Sequence, residues 1–271
     1  MILVLGGTGT TGRLVARKLD DRGQAVRVAA RRPPDGGVRF DWHDPATHAP
    51  ALAGVRAAYV LPPVGVPDPE PVVVPFLQRA RDAGVTRAVL LSSSAIPPGE
   101  TGLGRVHARL GQILPEWAVL RPSWFMENVV GDHPHAVSAR EDGEIVSATG
   151  DGRVAFIDPD DIAEVAVRAL TDPEPHNTDH LLTGPEPLSY AEVAERMTVH
   201  WGRPVRHRAV TAGELATRLT AAGLPADFAP FLAGLDVAIA GGAEDRTTDT
   251  VERVTGRPPR SLTDFLAARS G

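Results

Sequence analysis

The sequence predicts an α/β fold: a doubly wound parallel sheet followed by a smaller C-terminal α+β lobe. Three observations predict it. The first 125 residues alternate short β-branched runs with helical stretches. The opening run "ILVL" at residues 2–5 is apolar throughout and ends in glycines, which suits a strand buried on both faces. The second half changes character, with short strands, a turn signal at Asp151-Gly152 and strongly capped helices.

Each element has a local reason. After the first strand, a helix from Thr11 to Arg22 carries Leu14, Val15, Lys18 and Leu19 on its periodic face and stops at Gly23. The next strands are "AVRVAA" at 25–30, "VRF" at 38–40 and "AAYVL" at 57–61, the last followed by two prolines. A helix from Pro69 to Gly84 leads to the fifth strand, "AVLLSS". The helix carrying His107 follows, and "AVLRP" at 118–122 is the sixth strand. The core is expected over residues 1–130, its sheet completed by later segments, with a substrate lobe over 131–271 that does not fold alone.

In that lobe, "EIVSATGDGRVAFI" reads as two strands joined in a hairpin at Asp151-Gly152. Asp158 is an N-cap with Pro159 at the first helical position. Ser189 with Glu192, and Thr211 with Glu214, are spaced as capping boxes. Phe228, Phe231, Leu232 and Leu235 share a helical face, which packs in the core or walls an apolar pocket.

Composition narrows the function. The 271 residues fit one subunit, and 42% apolar with 23% charged residues is ordinary for a globular chain. A net charge of −6 gives no electrostatic footprint for nucleic acid or an anionic membrane. There is no cysteine, hence no disulfide, thiolate nucleophile or thiolate metal site. "MILVLGG" reads as a strand and not a signal peptide, and no apolar run reaches the span of roughly 18 residues that a membrane helix needs. A cytoplasmic protein with a small-molecule partner is expected, as monomer or homodimer.

Gly7-Thr8-Gly9-Thr10-Thr11-Gly12 stands directly after the first strand and opens a helix. One glycine makes the tight turn, one lets backbone approach a pyrophosphate, and one lets helix and strand pack closely. With Gly6 the loop also reads Gly6-x-x-Gly9-x-x-Gly12. This is a Rossmann-like dinucleotide loop. An NAD-binding chain places a carboxylate about 20 residues on, for the ribose 2′-hydroxyl. Here Arg31 and Arg32 end the second strand, and guanidinium groups pair with a 2′-phosphate. NADP(H) is the expected cofactor. Asp41 and Trp42 are expected beside the adenine, Leu61, Pro62 and Pro63 beside the nicotinamide ribose. Ser92, Ser93, Pro122 and Phe125 complete the expected cofactor contacts at C-terminal strand ends.

Together "LGGTGTTG", "ARRP", the His107 helix, "VLRPSWFMEN" and "FIDPDDIAEVAVRALTDP" resemble the NmrA-like, atypical short-chain dehydrogenases. "GDGRVAFIDPDDIA", "LTGPEPLSYAEVA" and "VERVTGRPPRSLTDFL" resemble more closely the festuclavine dehydrogenase group of ergot-alkaloid-type oxidoreductases. The resemblance implies NADPH-dependent reduction of carbon–nitrogen double bonds in some members and quinone reduction in relatives. Other members only bind NADP(H) and regulate, so a non-catalytic sensor is the alternative reading. The arginine-heavy, lysine-poor composition points to a GC-rich bacterium.

A standard short-chain dehydrogenase carries Tyr-x-x-x-Lys on the helix that here holds His107 and Gly111. This chain has two tyrosines, Tyr59 and Tyr190, and one lysine, Lys18, in no such spacing. Ketone reduction needs a group to stabilise or protonate an alkoxide; an iminium or a quinone demands less. His107, Ser93 and Trp124 are the expected catalytic residues: a proton donor, a substrate hydrogen bond and an aromatic face for a cation. Glu127 and Asn128 offer a charge and a hydrogen bond beside Trp124. Asp41, His43, Asp44 and His48, and likewise Asp132, His133 and His135, match no metal-ligand spacing, and no metal is expected.

Overall fold

The computed structural model describes residues 1–269. In chain order the first elements are β1 (Ile2–Leu5), α1 (Thr10–Asp20), β2 (Val26–Ala30), β3 (Val38–Arg39), α2 (His48–Leu52), β4 (Ala57–Val60), α3 (Glu70–Asp82), β5 (Arg87–Leu91), α4 (Gly102–Ile113) and β6 (Glu116–Pro122). There follow α5 (Pro134–Glu141), β7 (Glu144–Ser147), β8 (Arg153–Val154), α6 (Pro159–Thr171), β9 (Thr178–Leu182) and β10 (Leu188–Ser189). The rest are α7 (Tyr190–Trp201), β11 (Arg206–Ala209), α8 (Ala212–Ala221), α9 (Ala229–Ala240), α10 (Thr250–Thr255) and α11 (Leu262–Ala267).

The chain divides into two compact units. The first holds Met1–Pro122, Pro159–Leu181 and Arg253–Gly256; the second holds Ser123–Asp158, Leu182–Glu252 and Arg257–Gly271.

The first unit is the expected Rossmann-like α/β sheet, in the order β3-β2-β1-β4-β5-β6-β9. Each pair from β3 through β6 is parallel. The central strands β1 and β4 are buried at every residue, as their apolar runs require. Tyr59 brings a hydroxyl into that buried strand and donates it to Thr11 Oγ1 at 2.9 Å. The last strand comes from the second half of the chain. Asn177 adopts φ 45°, donates its N–H to the Trp117 carbonyl and accepts from Trp117 N–H, so β9 starts in register beside β6. Helices α1 and α6 pack through Lys18, whose Nζ lies 2.9 Å from Asp160 and 3.4 Å from Glu164.

The second unit departs from the sequence reading at one point. β7 and β8 form no hairpin. β7 pairs in parallel with β11, and β8 pairs antiparallel with β10. The turn forms, with Gly150 at φ 54°, but the backbone there is held elsewhere. Asp236 accepts the Ala148 N–H at 2.8 Å. Gly152 lies so close to the Ile239 and Ala240 backbone that a Cβ would not fit. The segment therefore crosses from one small sheet to the other.

Both capping boxes form, Ser189 with Glu192 at the start of α7 and Thr211 with Glu214 at the start of α8. Asp158 is buried and pairs with Arg260 at 2.8 Å.

The Ser189 cap satisfies a backbone donor at the start of a helix whose Tyr190, Val193, Ala194 and Met197 lie in the core. Ser189→Ala is expected to cost about 1 kcal/mol and lower the Tm by about 2–4 °C. Thermal unfolding checks this, and an unchanged Tm contradicts it.

Candidate functional site

The glycine loop builds the first half of the site. Gly6 takes φ 64°, turning the chain sharply off β1 beside the Leu61 side chain. Gly7 N–H bonds the Ala29 carbonyl at 3.2 Å, and a Cβ on Gly7 would stand 2.7 Å from Val28 Cγ1. A Cβ on Gly12 would run into the Gly6 carbonyl. Gly9 caps α1 with extended backbone and no side-chain hydrogen bond, so the first N–H groups of the helix remain for an anion. Thr8 and Gly9 are exposed, Thr10 is half-buried, and Thr11 is buried on Tyr59.

Arg31 and Arg32 follow β2 directly and are exposed. Asp41 is tied into its own loop: its Oδ1 accepts from His43 N–H and its carbonyl bonds His48 Nε2. The Trp42 indole donates to the Leu61 carbonyl at 3.2 Å and packs edge-on against Phe40 and Phe76. Trp42 thus braces the end of β4, and Leu61 sits against the glycine turn. Pro62, Ser92 and Pro122 are buried at strand ends, with Pro63 half-buried next to them. Ser93 Oγ accepts the Ala95 N–H, while the Ser92 hydroxyl has no partner among the described residues.

His107 stands on α4, the helix on which the sequence reading places it. It is buried there, its Nδ1 has no partner among the described residues, and burial pushes its pKa down; Asp179 opposes this and Arg121 adds to it. Arg121 itself bonds Asp179 at 2.8 Å and the Ser94 carbonyl at 3.2 Å. Gly111, four residues on, is covered by an indole. A Cβ there would meet Trp117 Nε1 at 2.6 Å.

The second unit supplies a cavity of about 790 Å³. Trp124, Leu215, Leu219, Leu232 and Leu235 give it apolar walls. The α9 face is therefore divided: Leu232 and Leu235 line the cavity, while Phe231 is exposed and stacks on Phe228 at 5.6 Å. Phe125 bridges to Ile157 as an isolated strand pair. Glu127 is engaged with Arg269 at 2.9 Å, so its charge is already matched.

Three cavity residues carry chemistry that the sequence reading left aside. His133 and His135 line the wall, their rings 4.7 Å apart. Burial pushes His133 down to about 4 and His135 to about 3. Asp236, on α9, also lines the cavity and is 6% exposed. Burial raises its carboxyl to about 6, against the lowering effect of the Ala148 N–H. A signal was available: Asp236 is the sole charged residue in α9. Among the described residues no group of three or more His, Cys, Asp or Glu could hold a metal ion.

The comparisons agree with this architecture. The chain is 47% identical over 275 residues to an uncharacterized oxidoreductase, YesF, of Bacillus subtilis, covering 99% of this chain and 95% of that one. It is 40% identical over 278 residues to agroclavine dehydrogenase of Claviceps fusiformis, covering 98% and 96%. The chain belongs to the NmrA-like atypical short-chain dehydrogenase/reductase family, in the group of the festuclavine- and agroclavine-type oxidoreductases. An NADPH-dependent quinone oxidoreductase of Escherichia coli, crystallised with NADPH, shares the fold at TM-score 0.81, with 24% identity and 99% of each chain covered. No family model matches the chain.

The Gly6–Gly12 contact leaves no room for a side chain. Gly12→Ala is expected to lower NADPH affinity at least about tenfold. Fluorescence titration checks this, and unchanged affinity contradicts it.

Proposed function

We propose that the protein is an NADPH-dependent oxidoreductase that passes hydride to a small organic acceptor, an imine, an iminium or a quinone, without a Tyr–Lys pair. The observation that carries this reading is the helix where the pair would stand. His107 is buried there and Gly111 is closed over by Trp117, so neither a phenol nor a lysine has a place. Relatives named as agroclavine dehydrogenase, festuclavine synthase and NAD(P)H azoreductase, at 35–40% identity, support the reaction class.

The first unit takes the cofactor. The open N–H groups of α1 receive the pyrophosphate, and Arg31 and Arg32 pair with the 2′-phosphate. Leu61, held by Trp42, shapes the wall beside the turn. NADPH, when bound, supplies the hydride.

The second unit takes the acceptor. Its apolar walls exclude water and orient a hydrophobic molecule, and Trp124 offers an aromatic face to a cation. An iminium carbon that accepts hydride becomes a neutral amine, so no oxyanion forms. The amine then takes its proton from water. A quinone gives a delocalised, weakly basic oxyanion that one hydrogen bond serves. His107 stays neutral near pH 7 and packs against the sheet, while the Ser93 hydroxyl retains a proton to donate. A purely cofactor-sensing role leaves the cavity without a use.

Two measurements test this. NADPH oxidation by the purified protein, with a cyclic iminium and a simple quinone as acceptors and NADH in parallel, is expected to show turnover with NADPH on at least one acceptor. Tight NADPH binding with no turnover on either contradicts the reading. Arg31→Ala is expected to reduce the preference for NADPH over NADH at least about tenfold, through loss of a charge-assisted pair with the 2′-phosphate. An unchanged ratio contradicts the role of Arg31.

A further inference from the structure

We propose that Asp236 is the specificity-determining carboxylate of the second unit's cavity, where it recognises the cationic nitrogen of a hydrophobic amine or iminium. The proposal rests on the reading of that cavity as the acceptor site.

A carboxylate inside an apolar cavity is costly unless something answers its charge. Asp236 is 6% exposed on α9, among Leu232, Leu235, Leu215 and Leu219. One partner is present: Oδ2 accepts the Ala148 N–H at 2.8 Å. Among the described residues no guanidinium or ammonium pairs with it and no donor reaches Oδ1. The other carboxylates and the arginine that border the cavity, Asp132, Glu141, Asp142 and Arg218, are exposed to solvent. Asp236 is therefore the one buried charge that the cavity offers a ligand, and its sign selects a cation.

The other groups facing it leave that charge unanswered. Tyr190 is fully buried, its hydroxyl has no partner among the described residues, and the nearby Asp236 adds to the burial that raises its pKa. Its ring packs against His135 at 5.1 Å and His207 at 5.9 Å. His207 Nε2 is engaged with Ser147 Oγ at 2.8 Å. His133 and His135 are pushed to about 4 and about 3, so they stay essentially neutral between pH 5 and 8. Neither of these two imidazoles competes for the carboxylate in that range, and burial lowers the pKa of His207 as well. A flat, greasy cation meets an aromatic face at Trp124, leucine walls and one desolvated negative charge; a neutral molecule of equal size meets the same walls without the charge pair.

The test is calorimetric binding of tetrahydroisoquinoline, a secondary amine protonated from pH 5 to 8, against isochroman, its neutral analogue with oxygen in place of N–H. Wild-type protein at pH 8 is expected to bind the cation at least about tenfold more tightly. Asp236→Asn, which can still accept the Ala148 N–H, is expected to erase that ratio. In wild-type protein alone the ratio is expected to fall as the pH drops through about 6, as Asp236 takes up a proton. This arm holds even if the variant does not fold. Equal binding of the two probes by wild type, a preference that survives Asp236→Asn, or a ratio flat from pH 8 to 5 would each overturn the proposal. Binding needs no turnover, so these results stand apart from the reductase assay. In that assay Asp236→Asn is expected to raise KM for the iminium more than it lowers kcat, because the carboxylate binds the cation and takes no part in hydride transfer.

Discussion

The contact of Gly12 on Gly6 is the constraint on which the first unit's function depends. Backbone lies on backbone there with no space for a Cβ. That closeness brings the first turn of α1 against the end of β1 and leaves its N–H groups without a side-chain cap. A helix start without a cap is a small loss of stability, made good when an anion arrives. The flanking pieces follow from the same turn. Gly6 needs positive φ to make it, Leu61 packs over it, and Trp42 holds Leu61 by its carbonyl.

The sequence has no Tyr-x-x-x-Lys pair, and the proposed chemistry turns on what stands at those positions. A ketone reductase invests in a phenol and a lysine to manage an alkoxide. Here the helix position is given to packing: Trp117 covers Gly111, and His107 sits buried near the Arg121–Asp179 pair. In the second unit's cavity, among the described residues, one carboxylate, Asp236, is buried while the other charged lining residues are exposed. That carboxylate holds the Ala148 N–H through Oδ2 and leaves Oδ1 toward the cavity's ligand.

The sheet was legible because β1, β4 and β5 are short apolar runs ending in glycine, proline or serine, and that pattern fits little else. The glycine turn after β1 was legible because Gly6, Gly7 and Gly12 each have a steric job there. β9 was not legible: "TDHLL" is a polar edge strand whose place depends on Asn177 meeting Trp117, sixty positions away. The hairpin reading of residues 144–157 failed for a related reason. Asp151-Gly152 turns the chain, but the pairing partners of β7 and β8 are β11 and β10, and nothing local announces them. Glu127 stood out beside Trp124 in the sequence, yet Arg269 answers its charge from the far end of the chain. Asp236 was visible as a solitary charge in an apolar helix; its meaning required the cavity.

The most direct test of the account compares two acceptors of similar ring size and hydrophobicity, a cyclic iminium and a cyclic ketone, in single turnover with NADPH-loaded protein. The account predicts that the iminium is reduced and the ketone is left untouched, because the sequence carries no Tyr-x-x-x-Lys pair to stabilise and protonate an alkoxide. Reduction of the ketone at a comparable rate would contradict it.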